Sequence, residues 1–450
     1  MSALPAGWAT TSIADVALFN PKTVAEDSMN AGFAPMQTLG TRYRDRMVFK
    51  ERSWGEIKKA YVHFQPGDVI VAKVTPCFEN GKAGIAPPLP NGLGAGSSEF
   101  CVFRPAQGID GRYLLAWLST KDFRQRAKVA MTGSVGLKRV PKEVFLSEQI
   151  PLAPESEQKR IADKLDTVLT RVDAVNTRLA HIAPLLKRFR QSILAAATSG
   201  RLTEDWRDTG QSLTAWVRTT LGAISADLRY GTSKKCTSEP AGNAVLRIPN
   251  IGSDGGPELS DLKYAQFDST EQAKLALRVG DLLIIRSNGS LDLVGKCCVV
   301  NEKAAGMLFA GYLMRLRVEA ARALPSFIFL SLSSPLIRGL IERAAKSTSG
   351  VNNINSEELR SLPLHLPPLD EQAEIVRRVE ILFALASRLE ARLQTAQTAT
   401  ERLTPALLAK AFRGKLVPQD PNDEPASELL RRLRQDAQST SGKRGRKSAA

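Results

Sequence analysis

The chain has 450 residues and a formal net charge of +16, and 43% of its residues are hydrophobic. This length exceeds what one hydrophobic core supports, so we expect several domains. The positive charge favours a polyanionic partner such as nucleic acid over an acidic small substrate, although a merely basic protein remains an alternative. The longest apolar runs, such as Phe327–Leu332, fall far short of the ~18 residues that span a membrane. Met1–Pro21 lacks a signal-peptide pattern.

Cysteine and histidine are used sparingly. The chain has five cysteines, none in a C-x-x-C pair, and three scattered histidines, so we expect no metal site. This usage fits the reducing environment of the cytoplasm, where we expect the protein to work.

The first 154 residues predict a mixed α+β domain. Short segments rich in β-branched and aromatic residues predict strands at Ala60–Phe64, Asp68–Val74 and Phe100–Phe103. Glycine and proline clusters separate these segments. A stretch from Asp110 to about Ala130 has leucines at helical spacing and predicts one amphipathic helix.

Residues 155–200 predict a long coiled-coil helix that begins after the proline-rich segment Pro151–Pro154. Gly200 suits a C-terminal cap, and Pro184 predicts a kink or break. Apolar residues recur at alternating spacings of four and three, the pattern of a coiled-coil seam: Ile161, Leu165, Val168, Val172, Val175, Leu179, Ile182, Leu186, Phe189 and Ile193.

Residues 201–368 and 369–414 repeat this plan. Strands are predicted at Asp281–Ile285 and Leu313–Val318, and a helix at Ser326–Ala345. The second long helix ends near Gly414 and contains Pro405, where we expect another kink or break. Its seam keeps the phase of the first: Ile375, Val379, Leu382, Ala386, Leu389, Leu393, Ala396, Thr400, Leu403 and Leu407. Residues 415–450 follow, and the basic segment Ser439–Ala450 predicts a disordered tail that weakly attracts DNA.

The two halves match at an offset of 213 or 214 residues, which indicates internal duplication. Matching elements are Glu157-Gln158 with Glu371-Gln372, Gly67-Asp68 with Gly280-Asp281, Gly81-Lys82 with Gly295-Lys296, and Arg124 with Arg338. The predicted fold class is therefore α+β, with two pseudo-symmetric mixed α/β domains separated by a pair of long antiparallel coiled-coil helices. Each helix of roughly 42 residues would be about 63 Å long. Alternatively, each seam pairs with another chain or packs on its own domain.

Catalytic motifs are poorly matched. The segment Gly289–Cys297 has five residues where a phosphate loop has four, and a cysteine where that loop binds magnesium through Ser or Thr. The glycines of Gly92–Gly96 lead into a strand and do not fit a dinucleotide-binding turn. Asp68 and Lys73 lack the second acid that a metal-dependent nuclease needs. We therefore predict no catalysis by this chain alone.

Paired loops instead carry side chains suited to DNA. Arg and Lys can bind guanine edges, Asn can bridge adenine, and Ser and Thr suit phosphates. Solvated loop surface is the alternative for any single residue. The candidates are Lys73, Thr75, Lys82, Ser97, Ser98, Lys138 and Arg139 in the first copy, and Arg247, Asn250, Arg286, Ser287, Asn288, Lys296, Asn352 and Asn353 in the second.

These residues carry a family resemblance. The chain resembles the specificity subunits of type I restriction-modification systems over nearly its full length. The resemblance rests on these segments: Lys73-Val-Thr-Pro-Cys-Phe-Glu-Asn-Gly-Lys82, Gly96-Ser-Ser-Glu-Phe100, Arg286-Ser-Asn-Gly-Ser290, Val294-Gly-Lys296, Gly200-Arg-Leu-Thr-Glu-Asp-Trp206, Pro367-Pro-Leu-Asp-Glu-Gln372, Ala411-Phe-Arg-Gly-Lys-Leu-Val-Pro418 and Asp420-Pro-Asn-Asp-Glu-Pro425.

The resemblance implies two target-recognition domains, residues 1–154 and 201–368, each reading one half of a bipartite double-stranded DNA site. It also implies that two modification subunits dock on the spacer helices and supply S-adenosylmethionine for adenine methylation. Restriction subunits would add ATP-dependent cleavage with Mg²⁺, and this chain itself would hold no cofactor. A coiled-coil scaffold that binds only proteins is the alternative. Salt-sensitive binding of duplex DNA would separate the two, because phosphate neutralisation releases counterions.

Overall fold

The computed structural model describes residues 4–43, 45–134, 136–207, 215–252, 254–345 and 350–447. The chain divides into two compact units: unit 1 comprises Met1–Ala180 with Thr395–Ala450, and unit 2 comprises His181–Gln394. Within the described residues, no helix combines the length and hydropathy needed to cross a membrane. Each unit includes part of both long helices.

The first half of the chain contains twelve strands and six helices within the described ranges. The strands are β1 Ala9–Ser12, β2 Ala17–Phe19, β3 Asn30–Ala34, β4 Lys50–Ser53, β5 Val62–Phe64, β6 Val69–Ala72, β7 Ala83–Ile85, β8 Gly94–Gly96, β9 Phe100–Pro105, β10 Thr132–Ser134, β11 Leu137–Arg139 and β12 Gln149–Leu152. The helices are α1 Ile13–Val16, α2 Trp54–Ile57, α3 Gly111–Leu118, α4 Lys121–Val129, α5 Lys142–Leu146 and α6 Glu155–Thr198.

The second half follows a similar order. Its described strands are β13 Val217–Thr220, β14 Ser225–Tyr230, β15 Asn243–Leu246, β16 Lys263–Ala265, β17 Leu282–Ile285, β18 Ser287–Asn288, β19 Cys297–Val299, β20 Leu308–Phe309, β21 Leu313–Val318, β22 Asn352–Asn353 and β23 Pro363–Leu366. Its helices are α7 Ser269–Leu275, α8 Pro325–Ser333, α9 Pro335–Ala344, α10 Ser356–Arg360, α11 Leu369–Ala411 and α12 Ala426–Lys447.

Sheet topology repeats between the units. The order β2-β9-β6-β7 in unit 1 corresponds to β14-β21-β17-β19 in unit 2, and the pair β1-β12 corresponds to β13-β23. Register repeats as well, since Val69 faces Phe103 and Leu282 faces Leu316. The duplication seen in the sequence is therefore a duplication of fold. The strands predicted to begin at residues 60, 68, 100, 281 and 313 are confirmed within a few residues.

The predicted single helices over 110–130 and 326–345 are wrong, because each segment forms two helices. In unit 1, the Thr120 side chain caps α4 by accepting from the backbone N–H of Phe123 at 3.4 Å. In unit 2, Pro335 begins α9. Its ring removes an N–H and holds Ser334 extended, so α8 ends there.

The long helices α6 and α11 form as predicted and run antiparallel. In unit 1, Ile161 and Leu165 near the start of α6 share a core with Leu408 and Ala411 at the end of α11. In unit 2, the end of α6 at Ile193 shares a core with the first turns of α11. The seam residues Val175 and Leu389 are 42% and 38% exposed.

The proline expectation was wrong in one respect, because α6 and α11 continue through Pro184 and Pro405 without a break. The predicted glycine caps are confirmed. Gly200 and Gly414 both adopt positive φ, of 80° and 64°. After α11, the Lys415 N–H donates to the Lys410 carbonyl at 3.0 Å, which is the Schellman pattern that glycine permits.

The predicted disordered tail is also corrected. Helix α12 continues to Lys447, while residues 448–450 lie outside the described residues. Ala426, Leu429 and Leu430 anchor its first turns in the core of unit 1. Once a helix is nucleated, each further residue adds a hydrogen bond, and Arg, Gln and Lys propagate it well.

A glutamine in the first turn of each long helix ties that helix to its globular domain. Gln158 accepts from the N–H of Asp110 at 3.1 Å and donates to the Ala153 carbonyl at 3.0 Å. Gln372 makes the equivalent bonds, from the Leu324 N–H at 2.8 Å and to the Pro367 carbonyl at 2.8 Å. Both glutamines are fully buried. This pair of bonds joins three segments in each unit: the start of α3 or α8, the proline-rich exit and the long helix.

The neighbouring buried glutamate differs between the units. Glu371 accepts from Trp216 Nε1 at 3.0 Å, Thr203 Oγ1 at 2.7 Å and the Arg207 guanidinium at 2.7 Å. Glu157 accepts from Trp8 Nε1 at 2.9 Å through Oε2.

The second carboxylate oxygen of Glu157, Oε1, has no hydrogen-bond partner among the described residues. At the repeat positions that supply Thr203 and Arg207 in unit 2, unit 1 has Val417 and Pro421, whose side chains cannot donate a hydrogen bond. Burial raises the pKa of Glu157 above its usual value.

We predict opposite effects for the two glutamate-to-glutamine substitutions. Glu371→Gln leaves the nearly buried Arg207 without its counter-charge and should cost about 3–5 kcal/mol. Glu157→Gln keeps the acceptor for Trp8 and removes a poorly solvated charge, so unit 1 should lose no stability at neutral pH. Urea unfolding followed by tryptophan fluorescence measures both.

The pH dependence checks the cause. A raised folded-state pKa means that the wild type loses stability as pH rises upward from about 4.5 through the folded-state pKa. The advantage of Glu157→Gln should therefore grow over that range. Equal losses for both variants at every pH would contradict this account.

Candidate DNA interface

Three positions in each unit are joined by the same backbone frame. In unit 1 the Lys73 N–H donates to the Glu99 carbonyl at 2.9 Å, and the Val140 N–H donates to the Lys73 carbonyl at 2.8 Å. Val74 bridges Arg139 on β11. We call Lys73, Glu99 and Arg139 site 1. These main-chain hydrogen bonds fix the backbone positions of the three residues and do not depend on the identity of their side chains.

Unit 2 has the same frame. The Arg286 N–H donates to the Tyr312 carbonyl at 3.0 Å, and the Ile354 N–H donates to the Arg286 carbonyl at 2.9 Å. Ser287 faces Asn353 across β18 and β22. We call Arg286, Tyr312 and Asn353 site 2. The two sites therefore share main-chain geometry and differ at all three side chains.

Site 1 is built around an ion pair. The Arg139 guanidinium donates from Nε at 2.9 Å and from Nη2 at 2.7 Å to the Glu99 carboxylate. Hydrogen bonding from Arg139, with the nearby charge of Lys73, lowers the pKa of Glu99 below its usual value. The carboxylate is therefore ionised at neutral pH and acts only as an acceptor.

Site 2 is built around a stacked arginine. The Arg286 guanidinium lies 4.5 Å from the centroid of the Tyr230 ring, a cation–π contact. Its Nε donates to the Asn353 side-chain oxygen at 3.3 Å. Tyr312 is 64% exposed beside this cluster. Exposed aromatic, guanidinium and amide groups together suit contact with bases and phosphates.

The structure brings most of the predicted unit 1 residues together. The Thr75 hydroxyl accepts from the Lys138 N–H at 2.9 Å and donates to the Gly136 carbonyl at 3.1 Å, which holds the β10–β11 hairpin beside site 1. Ser97 and Ser98 immediately precede Glu99, and Lys138 is exposed. Lys82 is different, because its ammonium donates to the Met36 carbonyl at 2.8 Å. Lys82 therefore ties two loops of unit 1 together.

In unit 2, Asn352 joins Asn353 on β22, opposite Ser287 and Asn288. Asn352 donates to the Gly289 carbonyl at 3.0 Å. Lys296 is exposed, with its ammonium 3.8 Å from a carboxylate oxygen of Asp292. Residues 346–349, which precede β22, lie outside the described residues.

Asn250 and Arg247, both predicted from the sequence, lie together in a separate loop cluster. Asn250 is 1% exposed, and its amide donates to the carbonyls of Glu258 at 2.7 Å and Asp261 at 3.0 Å. Its oxygen accepts from the Arg247 N–H at 2.8 Å. The Arg247 guanidinium pairs with the Asp261 carboxylate at 2.8 Å. The Asn250 side chain therefore bonds the loop's own backbone.

Several repeated residues turn out to hold the fold. Asp68 receives two hydrogen bonds from Arg104, at 2.9 and 2.8 Å, which leaves the carboxylate unsuited to a metal. Asp281 and Arg317 form the same pair in unit 2, at 2.7 Å for both bonds. Among the described residues, no group of three or more His, Cys, Asp or Glu side chains is placed to hold a metal ion.

Glycine at position 81 has a comparable structural role. It adopts φ +81°, and a Cβ there would lie 2.5 Å from the Arg124 guanidinium. That guanidinium donates to the carbonyls of Phe78 at 3.0 Å and Glu79 at 2.7 Å. Gly295 and Arg338 repeat the arrangement, with Arg338 donating to the Val294 carbonyl at 2.6 Å. The repeated glycine therefore makes room for an arginine that caps a loop.

Sequence reasoning missed Glu99 of site 1, Tyr312 of site 2, and Tyr230, which stacks on Arg286. A signal was present, because Glu99 lies in the quoted segment Gly96–Phe100, and the repeat offset places Tyr312 at its counterpart. The chemical pattern predicted for DNA contact comprised basic, amide and hydroxyl side chains, and it did not include an acid or a tyrosine.

Comparisons with known proteins place this geometry in context. The chain matches the family described as "Type I restriction modification DNA specificity domain" over residues 5–183 and 270–396. It is 34% identical to the type I restriction enzyme EcoKI specificity subunit of Escherichia coli (strain K12), over 77% of this chain and 76% of that protein. Identity to the StySPI specificity subunit of Salmonella potsdam is 33%, over 77% of this chain and 76% of that protein.

Two solved structures share the fold. A chain from a structural study of complex assembly and conformational transition in the type I R-M system matches with a TM-score of 0.72 and 22% identity, over 92% of this chain and 100% of that one. The HsdS subunit from Thermoanaerobacter tengcongensis matches with a TM-score of 0.61 and 21% identity, over 92% of this chain and 98% of that one.

We predict that Asn250→Ala destabilises unit 2 and leaves DNA preference unchanged. The substitution strands buried backbone groups of the 247–261 loop, at a cost of about 1–3 kcal/mol. Asn353→Ala is the matched control, since Asn353 is exposed and its loss should cost less than about 0.5 kcal/mol. Urea unfolding of both variants provides the comparison. A stable Asn250→Ala variant with altered base preference would return Asn250 to the interface.

Proposed function

Because the chain belongs to the family of type I restriction-modification DNA specificity proteins, we propose that each of its two units reads one half of a bipartite DNA sequence. The observation that carries this is the pairing of sites 1 and 2. Both use the same main-chain hydrogen bonds, yet their side chains are Lys73, Glu99 and Arg139 in one and Arg286, Tyr312 and Asn353 in the other. One frame with two sets of side chains suits an asymmetric target.

Charge and side-chain chemistry support double-stranded DNA as the ligand. The net charge of +16 gives a sequence-independent attraction to phosphates. Exposed Lys138 and Lys296 are suited to phosphate contacts, whereas the planar guanidinium of Arg286 matches the two acceptors of a guanine edge. Phosphate contacts position the protein, and base contacts specify the sequence.

The proposal extends to partner subunits. Exposed apolar residues on the long helices, Val175, Leu185 and Phe189 on α6 and Ile381 and Leu385 on α11, provide surface for modification subunits. Those subunits would carry S-adenosylmethionine, and restriction subunits would carry ATP and Mg²⁺. The chain would supply sequence recognition without catalysis. The repeated heptads would set the number of unread base pairs between the half-sites.

Replacing one unit's globular domain should change only half of the recognised sequence. Residues 1–150 are exchanged for the equivalent segment of a relative, and the methylated motif is read by methylome sequencing. Because site 1 and site 2 lie in different units, we expect the half read by unit 2 to stay the same. The reciprocal exchange in unit 2 is the control. A change in both halves after a single exchange would show that the units do not read independently.

The pure chain should transfer no methyl group from labelled S-adenosylmethionine to duplex DNA, and transfer should begin when modification subunits are added.

Leu185→Glu places a charge on an exposed apolar position and should weaken assembly by ~10-fold or more, equivalent to ~1.4 kcal/mol. Lys187→Glu is the matched control on another side of the same helix. Transfer by the pure chain would contradict the assignment, and equal effects of both variants would contradict docking at Leu185.

A further inference from the structure

We propose that Arg139 of site 1 reads a guanine in the major groove and that Glu99 is the positioning residue that holds its guanidinium. This inference rests on the proposed function of unit 1 as a reader of one half-site. It assigns a single base contact to a single side chain.

The first argument is geometric. Arg139 donates to Glu99 from Nε and Nη2, so one edge of the planar guanidinium is occupied. Nη1 has no hydrogen bond to any described residue, and Nη2 carries a second hydrogen. Those two groups form the end of the fork, and such a fork matches the O6 and N7 acceptors of guanine. The Glu99 contact therefore leaves the base-reading edge available.

The second argument comes from the duplication. Ion pairs that hold the fold recur in both units, as Asp68–Arg104 recurs as Asp281–Arg317. The aspartates of those pairs are almost fully buried, with 2% and 1% of their side chains exposed. Arg139 and Glu99 have no such copy, because unit 2 has Asn353 and Tyr312 at those positions.

Exposure separates the two kinds of pair further. The side chains of Arg139 and Glu99 are 43% and 25% exposed. The Arg139–Glu99 pair is partly exposed and occurs in unit 1 alone, although both units share the main-chain frame. Such a pair is suited to recognition of a base by unit 1.

The third argument is electrostatic. A free carboxylate would repel the phosphates of DNA, whereas Glu99 is neutralised by Arg139 and by the nearby Lys73. Its lowered pKa keeps it ionised, which keeps the guanidinium in place. An arginine held on one edge loses less side-chain entropy on binding than a free one, which strengthens discrimination without adding a contact.

The test uses the assembled complex with its modification subunits and a panel of duplexes. Each base pair of the half-site read by unit 1 is substituted in turn. In the wild type, one G·C pair should be preferred by about 5- to 150-fold, the range of a good bidentate contact. Arg139→Ala should abolish the preference at that pair alone. Arg139→Lys should not restore it, because an ammonium lacks the fork.

Glu99→Gln should weaken the preference at the same pair by less than Arg139→Ala does. Arg126→Ala, which removes the ion pair that the 54%-exposed Arg126 side chain makes with the 11%-exposed Glu148 side chain elsewhere in unit 1, should change no preference. Thermal unfolding midpoints of all variants should match the wild type within a few degrees, which separates positioning from folding.

Three results would overturn the inference. A uniform loss over all duplexes with a smaller salt slope would make Arg139 a phosphate contact. Relaxation at a different pair in Glu99→Gln would make Glu99 a base reader in its own right. Full discrimination in Arg139→Ala would remove Arg139 from recognition. If the wild-type complex itself prefers no sequence, it is the proposed function of the chain that fails.

Discussion

The attachment of each long helix to its globular domain is the interaction on which the rest of the structure depends. Gln158 and Gln372 each lie on a long helix and bind two further chain segments in a fully buried setting, where a lost hydrogen bond leaves polar groups without water. The start of α3 or α8, the proline-rich exit and the helix thus have one relative placement. The sheet that carries site 1 or site 2 packs against those same elements.

The duplicated glutamates show how this attachment varies. Glu371 has a tryptophan, a threonine and an arginine as donors, whereas Glu157 has a tryptophan alone among the described residues. The missing donors map to Val417 and Pro421, on the segment that follows the other long helix. Each helix start is therefore completed by chain from the far end of the partner helix. At the same repeat position, Glu371 forms an ion pair with Arg207, whereas one carboxylate oxygen of the buried Glu157 has no hydrogen-bond partner among the described residues.

Residues that repeat between the two units and residues that differ between them have different roles. Residues that recur hold the fold. Asp68 pairs with Arg104, Arg124 donates to a backbone carbonyl, and Gly81 leaves space for the Arg124 guanidinium. Residues that differ on a shared frame, such as the partly buried Glu99 and the exposed Tyr312, lie at its surface. Main-chain hydrogen bonds are indifferent to side-chain identity, so the frame tolerates exchange of the groups it displays. This is the property that a protein with variable specificity requires.

The sequence by itself determined the duplication, the fold class and the two long helices with their glycine caps, and it predicted most of the polar residues of the two candidate sites. These features depend on local patterns or on comparison of the chain with itself: apolar spacing, turn residues and a constant offset. The helix breaks at Thr120 and Pro335 were also encoded locally, but the apolar periodicity continues across them and concealed them. Helix α12 depended on anchoring by the core of unit 1, which its charged composition does not reveal.

Only the tertiary structure decided which polar loop residues are available to a ligand. Asn250, Lys82 and Arg139 look equally suitable in the sequence. The structure buries Asn250 on backbone carbonyls, ties Lys82 to Met36, and leaves Arg139 with one edge on Glu99 and one edge open. The physical reason is that a side chain's hydrogen-bond partners can lie far away in the chain, 46 residues for Lys82 and 40 for Arg139. Folding alone decides whether such a group is already satisfied or still free to bind.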